Sequence, residues 1–124
     1  METNSFEKSL RVRELTVTLT YADTTSAVAF SLPKNARLID WIFNVKTAFS
    51  GGTAELDIGK SDDSDYFADG VSLASAGKVH PTTEITQPGY RTTQVQDIYM
   101  NVGASNTAGE VDVTLLYSIP VDRR

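Results

Sequence analysis

Apolar and polar residues alternate along most of this chain. Leu15, Val17, Leu19 and Tyr21 are interleaved with Thr16, Thr18 and Thr20. Val28, Phe30 and Leu32 alternate with Ala29 and Ser31, and Ile39, Trp41, Phe43 and Val45 with Asp40, Ile42, Asn44 and Lys46. The same alternation returns at Leu56 and Ile58, at Ile98, Met100 and Val102, and at Val111, Val113, Leu115, Tyr117 and Ile119. Successive side chains of a strand point to opposite faces, so each segment predicts a half-buried strand. Valine, threonine and aromatic residues fill these segments, as a pleated surface favours. Leu10 and Val12 have the opposite parity to Leu15 and Val17, which predicts a bulge near Arg13 and Glu14.

Turn residues punctuate the runs. Residues 22–26 are short and polar and suit a hairpin between the first two strands. Pro33, Lys34 and Asn35 close the second, and Ser50-Gly51-Gly52 supplies positive φ between the third and fourth. Residues 103–109 link the last two strands, and Pro120 ends the final one. Between Gly59 and Gln96 the alternation is weaker. Val71, Leu73 and Val79, then Ile85 and Val95, leave room for one or two short strands or packed loops. Residues 69–77 hold one helical turn at most, and no long stripe of helical period is present. About seven or eight short strands with regular turns predict an all-β fold, a single-domain antiparallel β-sandwich. A jelly roll of about eight strands is the first choice and an immunoglobulin-like sandwich the second. Residues 1–9, polar apart from Phe6, read as an N-terminal arm, and residues 10–124 as the sandwich domain.

Length and composition agree with one globular domain: 124 residues, 40% hydrophobic and 22% charged. Cysteine is absent, which removes disulfides, thiolate nucleophiles and thiolate metal sites. A net charge of −5 repels phosphate backbones, so nucleic acid is not expected as a partner. No apolar run approaches the roughly 20 residues that cross a bilayer, so no membrane association is expected. The polar opening, Met1 to Lys8, does not read as a secretory signal, and synthesis in the cytoplasm is expected.

Candidate chemistry is sparse. Asp62, Asp63, Asp65 and Asp69, with Tyr66 and Phe67 among them, form a possible ligand loop. Clustered carboxylates suit Ca²⁺, and aromatic faces beside carboxylates suit a glycan. Yet the spacing is not that of an EF-hand, and aspartate and serine also make ordinary solvated turns, so no metal and no cofactor is expected. Glu55 and Asp57 share a strand face, but one predicted to meet solvent, where charge serves solubility rather than acid–base work. His80, the single histidine, precedes Pro81 in an expected loop and reads as an exposed turn residue. With no base near a nucleophile and no phosphate-cradling loop, catalysis is not expected. Some apolar side chains fall on the outward parity: Leu38, Ile42, Tyr99 and Leu116. Together with Phe6 they are the candidate partner interface, since apolar patches on a surface mark contacts between chains.

Three stretches have a familiar form. The first is "TAFSGGTAELDIG" from Thr47 to Gly59. The second is "DDSDYFADGVSLASAG" from Asp62 to Gly77, and the third "TAGEVDVTLLY" from Thr107 to Tyr117. Together they resemble small all-β virion proteins encoded in the structural modules of tailed bacteriophages and prophages. The resemblance is one of turn and strand residues, not catalytic ones, and covers about half of the chain. It implies a structural protein, not an enzyme, that decorates or cements a capsid or sits in a tail or fibre. A capsid decoration protein implies a place on the capsid surface. It also implies two partners: the major capsid protein and the protein itself, as a homo-oligomer (dimer or trimer). A tail or fibre module would instead bind a receptor or carbohydrate. Net negative charge suits the outside of a particle, away from packaged DNA.

Overall fold

The computed structural model describes residues 10–120, with side chains described from 12 to 119. The expected arm, Phe6 included, lies outside the described residues. The described residues form eight strands: β1 (Leu10–Thr20), β2 (Ala27–Leu32), β3 (Arg37–Ser50), β4 (Glu55–Lys60), β5 (Asp63–Ser72), β6 (Gly77–Val79), β7 (Gln96–Val102) and β8 (Ala108–Pro120). They form two four-stranded antiparallel sheets, ordered β1-β8-β3-β6 and β2-β7-β4-β5. Each sheet interleaves strands from both halves of the chain, which is the jelly-roll order. The all-β sandwich expected from the alternation is therefore the observed architecture.

The inner faces meet in one core. Phe43, Val45, Val111, Val113 and Leu115 come from the first sheet, and Leu32, Leu56, Ile58, Val71 and Ile98 from the second. Their alternation with half-buried and exposed neighbours is the sequence pattern realised in space.

Only β4 and β5 follow one another within a sheet; every other connection crosses between layers. Residues 22–26, expected to close a hairpin, make one of these crossings. Asp23 shapes the corner: its carboxylate accepts the Thr20 N–H (2.7 Å), its own N–H donates to the Thr20 carbonyl (3.0 Å), and its carbonyl accepts the Val102 N–H (2.9 Å). The turn is thus tied to β1 at one end and to β7 of the opposite sheet at the other.

Two further expectations are corrected. No bulge interrupts β1, whose register with β8 runs unbroken from Leu10↔Pro120 to Thr20↔Glu110. Val12 is simply an exposed apolar residue, 65% accessible, and single ones need no burial. A bulge does occur in β3, where pairing with β8 shifts between Leu38↔Tyr117 and Asp40↔Leu116. The extra residue, Ile39, swings outward to 49% exposure, and Leu38 and Trp41 both turn into the core at 3%. Leu38, expected on the outer face, is therefore a core residue.

The weakly patterned segment holds β5, the short β6 and a loop from 80 to 95. Residues 69–77 contain no helical turn; β5 runs on to Ser72. The loop is held by backbone hydrogen bonds to both sheets. Asp69 N–H donates to Glu84 (2.9 Å) and Thr86 N–H to Phe67 (3.2 Å), along the outer edge of β5. Leu38 N–H donates to Tyr90, and Thr92 N–H to Ala36, each at 2.8 Å. The buried Thr92 hydroxyl donates to Pro33 (2.7 Å) and accepts from Ala36 N–H (2.9 Å), so its polar atoms are satisfied.

Candidate functional site

The candidate partner residues fall into separate places. Ile42 and Leu116 share the outer face of β3 and β8. Ile42 stands opposite Thr114 and Leu116 opposite Asp40, which makes the two diagonal neighbours, both half-buried. Val12 lies one step further, opposite Ser118. Beyond this apolar strip the face turns polar. Thr16 and Thr114 share a hydrogen bond (2.9 Å), and the Thr18 hydroxyl donates to Asp112 (2.7 Å). Lys46 bridges Glu110 (3.3 Å) and Asp112 (3.5 Å), and these carboxylates, Glu110 foremost, hold its ammonium above the usual lysine range. The pair is solvent-exposed, so it contributes little to stability. Tyr99 sits on the other sheet, between Val28 and Gly59. Leu38 is inside. The four described candidates therefore do not make one patch: Ile42 and Leu116 do, Leu38 is buried, and Tyr99 faces the opposite way.

The expected aspartate loop is a hairpin. Asp62 lies in the turn between β4 and β5, and Asp63, Asp65 and Asp69 are exposed positions on β5. Phe67, expected among the ligand-loop residues, is 1% exposed and belongs to the core. Tyr66, Phe67 and Tyr90 pack edge to face, with ring centres 5.0, 5.1 and 5.8 Å apart. Lys60 Nζ lies 4.1 Å from the centre of the Tyr66 ring. The Asp63 carboxyl is held above its ordinary value, first by a hydrogen bond with Asp65 and also by that neighbour's negative charge. A recess of about 300 Å³ opens here between Asp63, Asp65, Asp69, Tyr66, Thr86 and Gln87. Among the described residues no three Asp, Glu or His side chains converge to hold a metal ion. Asp57 plays a structural role, since its carboxylate accepts the Gly70 N–H (2.8 Å) across the hairpin, where Gly70 takes φ of 69°.

One contact has no counterpart in the sequence pattern. His80 Nε2 is bound by both oxygens of Asp40, at 2.9 and 3.0 Å. The pair sits at the lip of a cleft of about 240 Å³ whose floor is Leu38 and Trp41 and whose wall is Pro81, Ile85 and Pro88. β6 brings the two together: Phe43 pairs with Val79, so His80 emerges beside the start of β3. No local signal links residues so far apart in sequence. Among the described residues Asp40 is the hydrogen-bond partner of the imidazole. An apolar floor with a charged lip suits the seating of an apolar side chain, not proton transfer to a nucleophile.

Jelly rolls with this layout have counterparts in virus shells. The chain matches a chain of the cyanophage Pam1 capsid asymmetric unit with a TM-score of 0.63 and 16% identity, over 90% of this chain and 87% of that one. It matches a chain of the acid-stable capsid structure of Helicobacter pylori bacteriophage KHP30 with a TM-score of 0.64 and 12% identity, over 90% and 94%. Its fold is one found in phage capsids. At these identities the likeness lies in the fold. No protein-family model matches the chain, and no curated protein sequence does.

Proposed function

We propose that this chain is a structural virion protein of a tailed bacteriophage, and within the virion a capsid decoration or cement protein. The observation that carries the reading is the fold likeness to chains of two phage capsids, which spans 87% and 94% of those chains. The whole neighbour corresponds to this chain, not a small module of it. The three sequence stretches with virion-protein form support the same reading independently. In it the protein is not an enzyme, and its work is bridging.

The mechanism follows from geometry. A two-layer body presents its outer sheet faces and loops to the major capsid protein and to further copies of itself. The apolar strip of Ile42 and Leu116, the opposite-facing Tyr99, and the arm at residues 1–9 are the surfaces this reading assigns to contacts. An interface of ordinary size buries about 1,600 Å². Many copies engaging one shell add avidity, so modest single affinities brace it against internal pressure.

The test uses shells of the phage that lack this protein. Purified protein should co-sediment with them and raise the temperature at which they release DNA. Failure to bind shells, together with binding to isolated tails or to host glycan, would replace this reading with that of a tail-associated receptor module.

A further inference from the structure

The four sheet edges are treated differently. β6 is three residues long. The edge of β5 is paired by residues 84–86, and β2 carries a bulge between Val28 and Phe30. Short, covered and bulged edges resist further pairing. β1 has none of these protections. It is 11 residues long, in unbroken register with β8, and free of proline; among the described residues nothing pairs with its outer side.

Which groups point outward follows from the ladder. Tyr21 N–H donates to the Gly109 carbonyl (3.1 Å), extending the β1–β8 register by one pair. Backbone groups alternate in direction along an antiparallel strand, so odd-numbered residues bond β8 and even-numbered ones face the open side. At Thr20 both groups are already taken by Asp23. Leu10, Val12, Glu14, Thr16 and Thr18 are left with N–H and C=O groups on the open side that nothing among the described residues pairs.

We propose that this edge binds a second copy of the chain, β1 against β1 around a two-fold axis, to give a continuous eight-stranded sheet. An antiparallel partner identical to itself offers a matching row of outward groups. Charge and hydrogen bonding then select the register. An axis at Glu14 stacks two carboxylates, and one at Arg13 stacks two guanidinium groups. An axis at Thr16 sets Val12 against Thr20, whose groups are occupied. An axis at Leu15 avoids both like-charge contacts and gives Val12, Glu14, Thr16 and Thr18 a free partner each, leaving only Leu10 opposite the occupied Thr20: Glu14 bonds Thr16 of the second copy, and Val12 bonds Thr18. It also places Leu15 against Leu15 and Arg13 against Val17 on the inner face. Leu15 and Val17 are only half-buried against the core, beside a recess of about 220 Å³ that runs from Val17 and Leu19 to Ala29 and Met100. The second copy covers that open flank. This inference does not depend on the capsid reading.

Analytical ultracentrifugation of the full chain over a concentration series tests it. The protein should sediment as a dimer. Thr16→Pro should give a monomer with an unchanged far-UV spectrum, because the Thr16 N–H bonds nothing among the described residues of one copy. Should the proline variant fail to fold, cysteine cross-linking decides, and the cysteine-free chain makes it unambiguous. Leu15→Cys should oxidise to a covalent dimer, since directly opposed non-hydrogen-bonded positions have disulfide geometry, whereas Glu14→Cys should not. A monomer at all concentrations, an oligomer that survives Thr16→Pro, or a Leu15→Cys variant that cross-links no better than Glu14→Cys overturns the proposal.

Discussion

The ring of Phe49 occupies the space that a side chain on Gly109 would need. A Cβ there would lie 2.6 Å from ring carbon Cδ1 and closer still to Cγ and Cδ2, and Gly109 has φ of 147°. The two residues come from two separate sequence stretches, around Thr47-Ala48-Phe49 and Thr107-Ala108-Gly109, and the strand pairing Ser50↔Ala108 brings those stretches together. Both stretches serve to build this join. Gly109→Ala should therefore destabilise the fold by at least about 2 kcal/mol, through overpacking and backbone strain together. Chemical denaturation measures it; a loss under about 0.5 kcal/mol, the size of an ordinary surface change, would contradict the packing.

Leu38 and Ile42 should behave oppositely. Leu38→Ala opens a core cavity and should cost about 2–5 kcal/mol. Ile42→Asp changes a half-buried outer-face residue and should cost about 1 kcal/mol or less, yet weaken attachment to the shell. Thermal melts and shell co-sedimentation of both variants read the difference. An unfolded Ile42→Asp protein would place Ile42 in the core instead.

Phe67 and Tyr66 are neighbours with different duties. Phe67→Ala should cost about 3–5 kcal/mol, the loss for a buried aromatic. Lys60→Ala removes the cation over the Tyr66 ring and should cost about 0.5–1 kcal/mol. Equal losses from the two changes in denaturation experiments would contradict the burial of Phe67.

The Asp63–Asp65 pair has a defined pH signature. A carboxyl whose folded pKa is raised holds its proton more tightly in the folded state. Its stabilising effect is present at low pH and fades as pH rises through the ordinary value of 3.8 towards the raised one. Both groups are exposed, so the signature is local. Carboxyl-carbon NMR should find the Asp63 midpoint above 3.8 and see it fall in Asp65→Asn. An Asp63 midpoint unmoved by that substitution would contradict the pairing.

Much of the fold was legible in the alternation, because a sheet with one buried face imposes it directly. Val111, Val113, Leu115 and Tyr117 all point inward as expected, as do Trp41, Phe43 and Val45. The alternation misled where one extra residue shifted parity, at Ile39, and where an exposed valine imitated a core one, at Val12. β5 was hidden because its outer positions are aspartates, which look like a turn in sequence but stand on an edge strand in space. Phe67 was misplaced for the same reason. The Asp40–His80 pair and the bonds of the 80–95 loop depend on which strands lie side by side, and no local pattern encodes that.

The most direct measurement of the central claim is a cryo-electron microscopy reconstruction of the intact phage particle at side-chain detail. This jelly roll should appear in many symmetry-related copies on the outer shell, touching the major capsid protein. A shell built without it, with the chain absent from the particle or confined to the tail, would contradict the capsid role.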